Sequence, residues 1–96
     1  MNRHSLFKFR LYTAGDSQNS ALAIANLKAL CHAHLEGRHE IEVVDVFREP
    51  KRALADGIFM TPSLIKLEPA PVRRIIGTLS QIAPVLQALG LEGDAA

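Results

Sequence analysis

The sequence predicts a single α/β domain with the element order β-α-β-α-β-β-α. Three observations carry that expectation. Residues 6–12 alternate apolar and polar, the period of a half-buried strand, whereas residues 19–36 repeat their apolar positions at helical spacing. The run Ile41–Phe47 is apolar everywhere except Glu42 and Asp45, which reads as a strand covered on both sides in a parallel β-α-β unit. Beyond it two short apolar runs, Ser63–Leu67 and Val72–Ile76, flank the turn Glu68-Pro-Ala-Pro71, the pattern of a hairpin.

Each element has a local cause. In the first strand Phe7, Phe9 and Leu11 share one face, and Lys8, Arg10 and Tyr12 the other. Residues 14–18 are turn chemistry, with Asp16 or Ser17 able to cap the helix that follows. That helix carries Ile24, Leu27, Leu30, Cys31 and Leu35 as one stripe, and Gly37 stops it. The right-handed crossover places it against one face of the sheet. Pro50 suits the first position of a short helix over residues 51–56, ended by Gly57. The last helix begins near Leu79, with Ser80 as cap and Ile82, Val85, Leu86 and Leu89 as buried face. Pro84 then falls fourth in the helix, where a hydrogen-bonded N–H is needed, so the start is weak. Gly90 ends it, and residues 91–96 read as a disordered tail to the single domain 1–96.

Composition removes several function classes. Ninety-six residues with 48% hydrophobic and 22% charged residues describe an ordinary globular domain with no room for a second core. A net charge of +1 argues against a nucleic-acid binder driven by bulk electrostatics. No apolar run approaches a membrane span, and the N-terminus lacks the apolar segment of a signal peptide. One cysteine permits no internal disulfide, which suits the cytoplasm. No phosphate-binding loop or nucleophile elbow is present.

The hairpin is the informative stretch. Pro62 stands at the entry of its first strand, where it removes a ladder donor, holds Thr61 extended and raises the chance of a cis bond. Arg73 and Arg74 are adjacent in the second strand, so alternation sends them to opposite faces and exposes at least one. They are either charges that guard a sheet edge or, with Lys66 nearby and Arg10 and Tyr12 on the first strand, part of a protein interface enriched in Arg and Tyr.

Three ordered blocks give the chain a resemblance. Pro69-Ala-Pro-Val-Arg-Arg-Ile-Ile-Gly77, preceded by Thr61-Pro-Ser-Leu64, is similar to the KaiB family, as are Leu11-Tyr-Thr-Ala-Gly15 with Asn19-Ser20, and Val44-Asp-Val46. Together they span most of residues 6–90. The element order, with proline at the third strand's entry, also resembles the thioredoxin fold. KaiB resemblance implies a second, metamorphic fold of the β-α-β-β-α-α-β type, often tetrameric. The five prolines of the second half and its short apolar runs are compatible with either form.

By that resemblance the chain is a non-enzymatic regulatory protein. Its implied partner is a KaiC-like ring ATPase, with a KaiA-like protein or a sensor histidine kinase as further partners and self-association as dimer or tetramer; no cofactor is implied. The implied partner or oligomer surface is Arg10, Tyr12, Lys66, Arg73 and Arg74, and the implied fold-switch hinges are Pro62, Pro71, Gly77 and Thr78. Thr78 stands where close relatives carry Asp, and Leu22 and Glu42 where cyanobacterial members are basic. The alternative is a stand-alone thioredoxin-like adaptor resembling the N-terminal domain of the SasA kinase.

A thiol-redox function needs a cysteine at the first helix's N-terminus, and Gly15-Asp-Ser-Gln18 occupies that place. Cys31, three turns on, reads as a small hydrophobe. Cys31, His32, His34 and His39 have the residue types of a metal site but sit on a loose helix end, where histidines also complement the helix dipole. Asp45 reads as a buried acid bonded to a strand-end N–H or hydroxyl.

Overall fold

Phe7–Thr13 (β1) takes an inner place in a four-stranded sheet of order β2-β1-β3-β4. The structure, a computed structural model, describes residues 6–91. β1 runs parallel to His39–Asp45 (β2) and antiparallel to Ser63–Glu68 (β3), and Arg73–Ile76 (β4) lies antiparallel to β3 at the far edge. The helices are α1 (Gln18–His34), α2 (Pro50–Ala55) and α3 (Ile82–Leu89), so the predicted element order holds.

The pleat divides the core in two. Phe7, Phe9, Leu11 and Leu64 point to one face, where Ala23, Leu27, Leu30 and Cys31 of α1 and Val85, Leu86 and Leu89 of α3 cover them. Tyr12, Val44 and Ile65 point to the other and meet Ala53 of α2. Each large apolar side chain so buried contributes about 1.5–3 kcal/mol before chain entropy is counted.

Three local expectations change, and one open alternative, the cap of α1, is resolved. β2 is an edge strand rather than one covered on both sides: Val44 is buried, but Val43 is 44% exposed. The crossover makes β1 and β2 neighbours, and β3 then enters on the far side of β1, so among the described residues no strand pairs with β2's outer edge. Ser17, rather than Asp16, caps α1, its Oγ accepting the Ser20 N–H at 3.2 Å. The cap of α3 is Gln81 rather than Ser80, which makes Pro84 the third helical residue, where the N–H has no intrahelical acceptor anyway. The first intrahelical bond, Val85 N–H to Gln81 O, forms one residue later. Finally, Leu91 is no tail residue: it is buried, and its N–H reaches the Leu86 carbonyl at 2.8 Å. Gly90, in the left-handed region at φ +78°, makes that return possible. The rest of the expected tail, residues 92–96, lies outside the described residues. Among the described residues no helix is long and apolar enough to cross a membrane.

Candidate interaction surface

The residues expected to form one surface fall on two sides of the sheet. Register aligns Glu42, Arg10, Ile65 and Arg74 across the four strands, so Arg10, Tyr12 and Arg74 share the α2 face. Lys66 lies opposite Phe9 and Arg73, on the face covered by α1 and α3.

Two of the five are buried, contrary to expectation. Tyr12 is fully enclosed, and its hydroxyl donates to Asp56 Oδ2 at 2.5 Å and to the Arg52 carbonyl at 3.2 Å. Burial and the bond to Asp56 both push its pKa upward. Lys66 is 4% exposed, with Nζ 5.8 Å from the Phe7 ring centroid. Burial, with Arg73 nearby, pulls its pKa down. Both side chains are long enough to hide an apolar body while the polar tip finds a partner, so strand alternation alone misjudges them.

Arg10 is half-buried in an ionic cluster that sequence reasoning missed. Its Nε donates to Glu42 Oε1 at 2.9 Å and its Nη1 to Asp56 Oδ2 at 3.0 Å. Arg52 of α2 closes the group, with Nη1 2.8 Å from Glu42 Oε2. Arg52 and Arg10, by their hydrogen bonds, hold the Glu42 carboxyl down to about 2. Tyr12 and then Arg10 lower Asp56 in the same way. The cluster ties β1, β2 and α2 together and neutralises Arg10. Its one sequence signal was the pairing of Arg10 with an acid on the adjacent parallel strand, which requires the register to be known.

Arg73 and Arg74 are different. Both are exposed on β4, and among the described residues neither side chain makes a hydrogen bond or ion pair. Arg74 leans toward the end of α2, with Nη1 3.9 Å from where a side chain on Gly57 would begin, and its charge helps to lower Asp56. Beside it an apolar groove of about 190 Å³ is lined by Ile58, Phe59, Met60, Ile65 and Ile76. Phe59 is 89% exposed.

The hinge candidates converge at one end of the hairpin, except Pro71, which is exposed in the turn. The Thr61–Pro62 bond is cis, as are Glu68–Pro69 and Ala70–Pro71. The Pro62 carbonyl accepts the Gly77 N–H at 2.9 Å, and the Ser63 hydroxyl donates to the Met60 carbonyl. Asn26 of α1 donates to the Thr78 carbonyl at 2.8 Å, and the Thr78 and Ser80 hydroxyls lie 2.6 Å apart. Leu79, next in line, is buried at φ +64°, a left-handed backbone unfavourable for leucine.

The other chemistry-bearing residues take structural places. Cys31 is buried, which pushes its thiol up to about 11. His39 Nδ1 donates to the Leu35 carbonyl at 2.9 Å, and among the described residues no three His, Cys, Asp or Glu side chains gather as metal ligands do. Asp45 Oδ1 accepts the Gly15 and Phe47 N–H groups at 3.2 and 2.9 Å, the strand-end bonding read from the sequence, but the residue is half-buried rather than buried.

A family description, "KaiB domain", matches residues 10–91. The chain belongs to the KaiB family. It is 44% identical over 92 residues to circadian clock protein KaiB3 of Synechocystis sp., covering 96% of this chain and 85% of that one. To the circadian clock oscillator protein KaiB of Synechococcus elongatus it is 40% identical over 91 residues, covering 95% and 89%. Among solved structures, the N-terminal domain of Synechococcus elongatus SasA superposes with a TM-score of 0.75 at 15% identity, covering 96% of this chain and 87% of that one. Chloroplastic thioredoxin z gives 0.75 at 17% identity, over 94% and 80%. This KaiB-family chain therefore has the thioredoxin-like fold.

Proposed function

We propose that this KaiB-family protein is a non-enzymatic regulator that docks on a KaiC-like ring ATPase and modulates its phosphorylation or ATPase cycle. The observation that carries the reading is the exposed Arg73–Arg74 pair, without an ionic partner, on a thioredoxin-like frame whose first helix begins at Ser17 and not at a thiol. The names of the relatives, circadian clock proteins, support a regulatory role of the clock type. The reading includes a second fold, self-associating as a dimer or tetramer, with Pro62, Pro71, Gly77 and Thr78 as hinges, and a cytoplasmic location.

Fold exchange gives the binding a time base. Were the docking form populated at about 1%, apparent affinity would fall about 100-fold, and the approach to equilibrium would be limited by the exchange. Arg10, neutralised by Glu42 and Asp56, holds α2 in place in this fold, so that of the three arginines in the expected surface Arg73 and Arg74 are the two available to a partner.

The test is co-elution with the KaiC-like ATPase of the same organism, with ATP present, followed over hours. Slow complex formation, weakened in Arg73→Ala or Arg74→Ala, is the expected result. Absence of any complex at tens of micromolar, with the ATPase ring intact, would overturn this function. A KaiA-like protein or a sensor histidine kinase is then tested for joining or competing with that complex. A second set of NMR signals for Gly77 and Gly90 checks the fold exchange independently.

A further inference from the structure

Among the described residues no strand pairs with the outer edge of β4. Gly77 N–H bonds to the Pro62 carbonyl, and β3 pairs antiparallel to β4 with Leu64 opposite Ile75 and Ile65 opposite Arg74. Alternation of the antiparallel ladder then turns the backbone groups of Arg73 and Ile75 toward β3 and those of Arg74 and Ile76 outward. The outward-facing residues are also the ones whose side chains lie on the α2 face. One of them is a cation without an ion pair among the described residues; the other, 59% exposed, lines the apolar groove with Phe59 and Met60. An edge with open N–H and C=O groups, a charge and an adjoining apolar recess has the parts used in recognition by strand addition.

We propose that β4 binds an extended segment of a partner protein in which two acidic residues adjoin two apolar ones. Added as a fifth strand, the segment bonds its backbone to Arg74 and Ile76. Its acids lie against Arg73 on one face and Arg74 on the other, and an apolar side chain opposite Ile76 enters the groove. Charge chooses the sign of the partner: β4 presents two arginines without ion pairs among the described residues, whereas on the opposite edge, β2, the charged side chains are the acids Glu40, Glu42 and Asp45, Glu42 already paired with Arg10 and Arg52, so that edge offers an acidic strand no cation of its own. Asp56, the carboxylate that feels the charge of Arg74, is already engaged by Tyr12 and Arg10. The inference deepens the docking role proposed above by naming the chemistry of the docked segment. Its test omits the ATPase, so the two can fail separately.

The probe is a short labelled peptide with two valines followed by two glutamates at its centre, titrated into the wild-type protein. Saturable binding that weakens with salt is expected, together with protection of the Arg74 and Ile76 amides from hydrogen exchange. The double variant Arg73→Glu, Arg74→Glu should bind this peptide roughly tenfold more weakly. It should in turn prefer the peptide in which lysines replace the glutamates. N-methylation of the peptide amides that face the edge should abolish binding to wild-type protein, a result independent of whether any variant folds. Absence of binding at millimolar peptide, or binding indifferent to N-methylation, would overturn the proposal and leave the arginines as guarding charges. Protection of the same amides without peptide, with a concentration-dependent rise in mass, would assign the edge to a second copy and also overturn it.

Discussion

Tyr12 and Glu42 show how single side chains fix the sheet to α2. Tyr12 spends its hydroxyl on Asp56 and on the Arg52 carbonyl, so Tyr12→Phe removes both bonds without changing the packed ring. A loss of about 1–2 kcal/mol in denaturant unfolding is expected, because one of the acceptors is a charged carboxylate. Glu42 is held near 2, below its ordinary 4.5, by Arg52 and Arg10. A carboxyl depressed in the folded state stabilises above its unfolded value and loses that contribution as pH falls through the folded one. Stability should therefore decline from about pH 4.5 toward 2, and Glu42→Gln should flatten that decline. An equal acid limb in both proteins would show that the pair contributes nothing, as exposed ion pairs often do. Salt should weaken the wild-type advantage.

At the scale of elements, the link from β4 to α3 is the part most exposed to backbone strain. Leu79 is buried and left-handed, so side chain and backbone ask for different residues. Leu79→Ala loses the buried side chain and keeps the strain, an expected cost of about 2–4 kcal/mol. Elsewhere glycine would be worse than alanine by about 0.5–1 kcal/mol, but here relief of a positive φ offsets that. The expected order of denaturation midpoints is therefore wild type, then Leu79→Gly at or above Leu79→Ala. The first helix gives a simpler case: Ser17→Ala removes the cap to the Ser20 N–H and should cost about 1 kcal/mol.

For the whole molecule, Cys31 is a reporter of opening. It lies at the centre of the α1 face of the core, and burial raises its thiol to about 11. Labelling by a thiol reagent near pH 8 should thus proceed at the rate at which the core opens, in one slow phase, and should become immediate in denaturant. Rapid labelling of the native protein would contradict the packing of α1 on the sheet. If fold exchange occurs, the same rate measured against that of ATPase binding tells whether one opening step serves both.

Residues 6–90 made the element order, the caps' approximate places and the family legible, because strand and helix periods and turn residues are local properties of the chain. The three ordered blocks around Gly15, Asp45 and Gly77 sufficed for the family. Tertiary structure decided what side chains of the same strand do. Tyr12 and Lys66 look like surface residues in a period-two pattern and are buried, while Val43 looks like core and is exposed, because strand order sets which strand is an edge. The Arg10–Glu42–Arg52–Asp56 cluster joins residues up to 46 positions apart, and no local pattern encodes a register. Arg73 and Arg74 alone of the expected surface remained open to a partner, since β4 is the last strand of the sheet and no acid among the described residues forms an ion pair with them.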